Sequence, residues 1–250
     1  MVLATDLDGT FLGGKELQRQ QLYRLIKESV DARLIFVTGR GLESVVPLLN
    51  DPQIPNPHYI ICDVGATIVD GHTLQPVGSL QAEIEKRWPG SDRVIARLSE
   101  IEGLSYQQVP QQRRCSFFTD SVSVIREVRL TAAAMDCEVI YSAGKFLDVL
   151  PGGVNKGSSL YQLVKYLGMD VDEVLVAGDT LNDLAMYQYG FKGVVVGNAE
   201  QKLVNATAEL EEIYYAEENG AGGIMEALFH YTGLSGKLRK SFIENTAAGK

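Results

Sequence analysis

Cysteine, tryptophan and long apolar runs are scarce in this chain of 250 residues. Its three cysteines, Cys62, Cys115 and Cys137, are odd in number, far apart and in no metal-ligand spacing. That argues against a disulfide framework or a thiolate metal site and for reduced, structural thiols. No apolar run reaches membrane-spanning length, and no basic region followed by an apolar stretch and a cleavage site opens the chain. The expectation is a cytoplasmic protein with no membrane partner. Positive charge is also short, with 23 Lys and Arg against 32 Asp and Glu, a net charge of -9. A general nucleic-acid or membrane-surface role needs basic patches and is not expected. An anionic substrate stays open, because a bound metal can make a site locally positive in an acidic protein.

What is present is an alternation of strand-like and helix-like patterns. Leu34, Ile35, Phe36 and Val37 form a short apolar run of the kind buried on both faces. Residues 59–61, 174–177 and 194–196 repeat that pattern. Leu22, Leu25 and Ile26 share a helix face, and so do Leu160, Leu163, Val164 and Leu167, with Gly168 as a C-terminal stop. Such alternation predicts βα units, a parallel sheet and a ligand site at the carboxyl ends of its strands. The stretch from about Leu80 to Gly153 reads differently. It starts with a charged helical segment over 82–98. Strands follow near 116–118 and 138–141, with a helix over 124–135 between them and another strand at 146–150. It reads as an inserted α/β domain, 79–153, hinged at Pro76-Val77-Gly78 and Pro151-Gly152-Gly153. The core is then 1–78 and 154–233. Residues 234–250 read as a frayed, disordered tail rather than a basic binding arm.

Four polar clusters follow these apolar runs. Asp6-Leu7-Asp8-Gly9-Thr10 follows the first. Two carboxylates two residues apart at a strand exit can share a cleft, one attacking phosphorus while the other moves a proton. Asp-Gly is also a common hairpin turn. Thr38 follows 34–37, and its hydroxyl and the adjacent backbone N–H groups can hold phosphoryl oxygens; Thr is equally a common helix N-cap. Asn155-Lys156-Gly157 opens a helix. A lysine there opposes the helix dipole, which suggests an anion to neutralise; a solvated surface lysine is the plain alternative. Gly178-Asp179-Thr180-Leu181-Asn182-Asp183 supplies carboxylates four residues apart, hard oxygen ligands suited to Mg2+ or, more plainly, a capping turn.

Taken in order, nucleophile, hydroxyl, lysine and acidic cluster, the set resembles the haloacid dehalogenase (HAD) superfamily of phosphohydrolases. The resemblance implies a Rossmann-like parallel-sheet core carrying an inserted α/β cap between the second and third motifs. A closer likeness, to the sucrose-phosphate phosphatases, rests on several segments. They are Ser142-Ala143-Gly144-Lys145, Asp148-Val149-Leu150-Pro151, Asn155-Lys156-Gly157, Val64-Gly65-Ala66-Thr67-Ile68 and residues 222–227. Two departures from that family stand out: Gly9 stands where Asn is expected, and Thr180-Leu181 where Ser-Gly is expected.

The resemblance implies roles. Asp6 is the nucleophile. Asp8 protonates the leaving sugar oxygen and then activates water. Thr38 and Lys156 hold the phosphoryl oxygens. Mg2+ is the cofactor, held by Asp6, the backbone carbonyl of Asp8, Asp179 and Asp183. Gly39, Arg40, Lys145, Asp148 and Asn182 are the expected substrate contacts. The expected activity is hydrolysis of a phosphorylated disaccharide or glycoside resembling sucrose 6-phosphate, through an aspartyl-phosphate. Mannosylfructose phosphate and glucosylglycerol phosphate are the alternative substrates. A phosphomutase keeps both aspartates and remains a rival, as does a non-enzymatic sugar-phosphate sensor. The partner is a small sugar phosphate, and the oligomeric state, monomer included, is left open.

Overall fold

A computed structural model of the protein describes residues 2–110 and 112–232. The expected tail, 234–250, lies outside the described residues. The first third of the chain gives β1 (Val2–Thr5), α1 (Glu16–Glu28), β2 (Arg33–Val37), α2 (Leu42–Leu49), β3 (Tyr59–Cys62) and β4 (Thr67–Asp70). Alternation sorts the side chains of each strand between two faces. Val2, Ala4, Ile35 and Val37 enter one core cluster, and Leu3, Leu34 and Phe36 enter the other. Apolar residues on both faces are what a parallel sheet covered by helices on both sides requires. β4 was not legible as a strand, because Thr67-Ile68-Val69-Asp70 is short, sits at an edge and pairs antiparallel with β3.

The middle third gives α3 (Gly78–Lys86), α4 (Ser91–Leu98), β5 (Ser105–Gln107), β6 (Cys115–Phe118), α5 (Val122–Ala133), β7 (Cys137–Ser142) and β8 (Phe146–Pro151). The single charged helix expected over 82–98 is two helices. Pro89 has no N–H to continue the first, and Gly90 turns the chain at a φ of +100°. The strands form a separate antiparallel sheet in the order β5-β6-β8-β7. Val94, Leu98, Phe117, Val128, Leu147 and Val149 pack between this sheet and α4 and α5. α3 packs elsewhere. Buried Gln81 accepts the Ile68 N–H at 2.9 Å and donates to the Ala66 carbonyl at 3.1 Å. Leu80 and Ile84 join the core of the large sheet.

The last third gives α6 (Lys156–Tyr166), β9 (Val174–Gly178), α7 (Leu184–Tyr187), β10 (Lys192–Val195), α8 (Gln201–Thr207), β11 (Ile213–Tyr215) and α9 (Ala221–Thr232). The strand read at 194–196 therefore begins two residues earlier, at Lys192. The large sheet runs β11-β10-β9-β1-β2-β3-β4, parallel except for β4. α9 escaped the sequence reading because glycines are poor helix formers. Gly222 is needed there for close approach: a Cβ would sit 2.8 Å from the side chain of Gln18 on α1.

Candidate active site

β1 lies between β9 and β2, the point where the strand order turns back on itself. That is where open α/β sheets bind ligands. Each of these strands delivers a polar residue to the same edge. Asp6 follows β1, Thr38 follows β2 and Asp179 follows β9, and all three are buried. The Asp6 N–H bonds the Ala177 carbonyl at 2.9 Å, which extends the ladder to the nucleophile candidate itself.

After Asp6 the backbone makes one widened turn, closed by Phe11 N–H to the Asp6 carbonyl at 3.1 Å and Leu12 N–H to the Leu7 carbonyl at 2.9 Å. Gly9 has a φ of +80°. The Asp179 carboxylate occupies the space its Cβ would take. This gives a physical reason for Gly at the position where Asn was expected. Thr10 Oγ1 fixes the other Asp179 oxygen at 3.0 Å.

Lys156, the first residue of α6, is fully buried. Its Nζ donates to Asp6 Oδ1 and Asp183 Oδ1, each at 2.6 Å. A solvated surface lysine is thereby excluded. Capping of α6 falls to Asn155, whose Oδ1 accepts the Ser158 N–H at 2.8 Å while Ser158 Oγ accepts the Asn155 N–H at 3.0 Å. Asp183 Oδ2 accepts the N–H groups of Asp179 and Thr180, each at 3.0 Å. One carboxylate thus closes its own loop and binds the lysine. Burial works against charge on Lys156, but Asp183 and Asp6 outweigh it and raise its pKa. Burial also pushes Asp6 up to about 7, with Lys156 opposing and Asp183 adding to the rise. Asp179 is pushed up to about 7 by burial and by Asp183.

The cluster therefore holds more negative charge than one lysine balances. Carboxylate oxygens of Asp6, Asp179 and Asp183 lie within 4.8 Å of one another. Three hard oxygen donors with surplus negative charge fit a small divalent cation such as Mg2+. The Asp8 side chain is not part of this set. It is mostly exposed and pairs with Arg40 through two hydrogen bonds of 2.8 and 2.5 Å.

Thr38 is not a helix cap, since Gly41 takes that position for α2. Its Oγ1 accepts the Arg40 N–H at 3.1 Å. A Cβ on Gly39 would lie 4.0 Å from Asn182 Nδ2, so these two expected contacts face each other. Lys145 and Asp148 are not brought to the acidic cluster. Lys145 is exposed near the tip of the β7–β8 hairpin, its Nζ 4.9 Å from the centre of the Phe146 ring. The same tip, residues 141–144, lines an open cleft opposite Leu181, Glu200, Gln201 and Lys202. Asp148 lies deeper. It accepts Ser116 Oγ at 2.5 Å and sits 3.8 Å from the Arg114 guanidinium.

Three residues here escaped the sequence reading. Arg114 directly precedes β6 of the small sheet, is buried and donates to the Gly39 carbonyl at 2.5 Å. Asp63 lies 3.7 Å from Arg114. Asn198 donates to the Gly9 carbonyl at 3.0 Å and accepts the Gly220 N–H at 2.8 Å, bracing the turn that follows Asp6. Each acts through a contact distant in sequence, and neither periodicity nor spacing signals it.

The sucrose-6F-phosphate phosphohydrolase family model matches residues 1–232. The chain belongs to that family. With it the chain belongs to the HAD superfamily, and its α/β fold is the superfamily's. A glucosylglycerol-phosphate synthase from Pseudomonas anguilliseptica is 49% identical over 238 residues, 95% of this chain. The match spans only 31% of the synthase's length. Mannosylfructose-phosphate phosphatase from Agrobacterium fabrum is 30% identical over 92% of this chain and 96% of its own length. The crystal structure of sucrose-phosphatase from Synechocystis sp. PCC6803, in complex with sucrose and phosphate, superposes with a TM-score of 0.83 at 27% identity. It covers 93% of this chain and 98% of that one. Among the described residues, no helix is long and apolar enough to cross a membrane.

Proposed function

We propose that this chain is a Mg2+-dependent phosphomonoesterase acting on a phosphorylated disaccharide or glycoside through an aspartyl-phosphate. The observation that carries the reading is the position of Asp6. It stands at the end of the central strand, bound to Lys156 and beside Asp179 and Asp183. Asp6 attacks phosphorus, and the leaving sugar oxygen takes a proton from Asp8. Asp8 then draws a proton from the water that hydrolyses the aspartyl-phosphate. Lys156 and the Thr38 hydroxyl hold phosphoryl oxygens through the transfer. Asp6, Asp179, Asp183 and the Asp8 carbonyl would hold Mg2+, which supplies the positive charge that offsets the crowded oxygens.

The part of the inserted segment 79–153 that lies beyond α3 acts as a cap that selects the sugar. α3 is pinned to the large sheet by Gln81, so the first pivot of that cap falls at the break after α3 rather than at Pro76. Glucosylglycerol phosphate is the first substrate to try, because the synthase named for it shares 49% identity over the matched segment. Sucrose 6-phosphate and mannosylfructose phosphate follow. Phosphate release measured across these compounds and simple phosphomonoesters tests the reading. No release from any of them contradicts it, and a requirement for a sugar bisphosphate points instead to a phosphomutase.

Removal of the metal is expected to abolish turnover, with recovery on addition of Mg2+. Excess Ca2+ is expected to inhibit, because its larger and more flexible coordination misplaces the nucleophile. Full activity after exhaustive chelation contradicts the metal assignment. Lys145→Ala is expected to raise KM for the glycosyl phosphate and leave p-nitrophenyl phosphate hydrolysis nearly unchanged, since Lys145 follows directly on the hairpin tip, residues 141–144, that lines the cleft and is not bonded to the acidic cluster. Equal losses on both substrates would place Lys145 in the general machinery.

A further inference from the structure

We propose that Arg114, a residue of the inserted segment, is a positioning residue that sets the Thr38 hydroxyl for phosphate binding by fixing the Gly39–Arg40 peptide. The inference rests on the phosphate-site reading above. Arg114 Nη1 donates to the Gly39 carbonyl at 2.5 Å. In a trans peptide the C=O and the following N–H point in opposite directions. Holding the Gly39 carbonyl toward Arg114 therefore aims the Arg40 N–H the other way, where it donates to Thr38 Oγ1 at 3.1 Å. A hydroxyl that accepts there keeps its own proton to donate. No other acceptor takes that proton among the described residues, so it is available to a phosphoryl oxygen. The consequence is chemical: Thr38 presents a hydrogen-bond donor instead of a lone pair to an anion.

Arg114 is itself fixed from two sides. Asp63, after β3, lies 3.7 Å from Nη2, and Asp148, on β8, lies 3.8 Å from Nε. Ser116 Oγ donates to Asp148 at 2.5 Å. The loop that carries Asp63 also closes on Thr38 through its backbone. The Val64 N–H bonds the Thr38 carbonyl at 3.1 Å, and the Asp63 N–H bonds the Arg40 carbonyl at 2.9 Å. Asp63 and Val64 hold φ values of +54° and +58° to do so. Such a backbone is costly for a β-branched residue and persists only where its surroundings enforce it. The small sheet thus reaches into the phosphate loop of the large one through one guanidinium.

Binding of inorganic phosphate in the presence of Mg2+, followed by calorimetry, tests the proposal without relying on turnover. Arg114→Met removes the donors at similar length and is expected to weaken phosphate binding about tenfold, the worth of one charge-assisted hydrogen bond. Arg114→Lys retains a donor for the Gly39 carbonyl and is expected to keep most of the affinity. In a Thr38→Val background, Arg114→Met is expected to change affinity by less than about twofold, because its effect passes through the missing hydroxyl. Independent losses in the double variant overturn the proposal, as does an unchanged affinity in Arg114→Met. So does a loss seen only with a glycosyl phosphate and not with phosphate, which would make Arg114 a sugar contact. If Arg114→Met does not fold, Arg114→Gln, too short to reach, runs the same cycle. Failure of both to fold makes Arg114 a folding residue and overturns the proposal. A wild-type protein that binds phosphate without hydrolysing any ester sinks the phosphatase reading alone. A wild type that binds no phosphate sinks both.

Discussion

Asp6→Asn is expected to lower turnover at least about 10³-fold on every phosphate ester, because an amide cannot form the acyl-phosphate. The fold is expected to survive. Asp6 is buried, and its pKa stands at about 7, raised first by burial. A carboxylate whose pKa is raised in the folded state stabilises the protein only while protonated; that contribution is lost as pH rises from the unfolded value toward 7. Asparagine has the shape of the protonated acid and carries no charge. At neutral pH without metal, the variant is therefore expected to unfold at the same temperature as wild type or slightly higher. With Mg2+ added, wild type is expected to gain thermal stability and the variant much less, since one ligand is gone. Activity within tenfold of wild type contradicts the assignment of the nucleophile. A variant that fails to fold would show that Asp6 is held for structure as well.

Lys156→Met is expected to damage both stability and turnover. The ammonium is fully buried and bonds two carboxylates at 2.6 Å each. Removing one partner of a buried ion pair leaves uncompensated charge and costs about 3–5 kcal/mol. Here Asp6 and Asp183 would both be left, with Asp179 close by. The carboxylates are expected to relieve the strain by taking up protons. The variant's stability should then fall more steeply with rising pH than that of wild type, and Mg2+ should restore part of it. Turnover is expected to fall at least about 10³-fold, as when other fixed charges on a transferring phosphoryl group are removed. Thermal unfolding from pH 5 to 8, with and without Mg2+, checks the stability side. A variant as stable as wild type at every pH would mean that the lysine does not neutralise the cluster.

How much of this was legible depended on the range of each interaction. The parallel sheet was readable because β1, β2, β3 and β9 are short apolar runs buried on both faces. The ends of β9, β1 and β2 were readable as a site because polar residues follow each run directly. Lys156 stood out because it opposes the dipole of the helix it starts, and the structure shows the two carboxylates that explain it. The break at Pro89 and Gly90 is present in the sequence but masked, because the flanking charged residues continue a helical pattern. Edge strand β4 and helix α9 were hidden by length and composition: the one is four residues long, the other carries Gly222 and Gly223 in its first turn. The contacts of Arg114, Asp63 and Asn198 were not legible at all. The Gly39–Arg114 bond joins residues 75 apart, and the Gly9–Asn198 bond joins residues 189 apart. The tilt of Asp8 toward Arg40 belongs to the same class. Adjacency in sequence places Asp8 near Asp6, but side-chain pairing decides where its carboxylate points.

The proposed reaction requires a phosphoryl group to pass through Asp6. Asp8→Asn, treated with p-nitrophenyl phosphate and Mg2+ and quenched in acid, tests that step most directly. The p-nitrophenolate leaves without needing a proton, so the first transfer should proceed, while the missing base slows hydrolysis of the intermediate. Peptide mass spectrometry is then predicted to find a phosphoryl group on Asp6. p-Nitrophenol release with no phosphorylated peptide, or with the phosphoryl group on any other residue, would contradict the account.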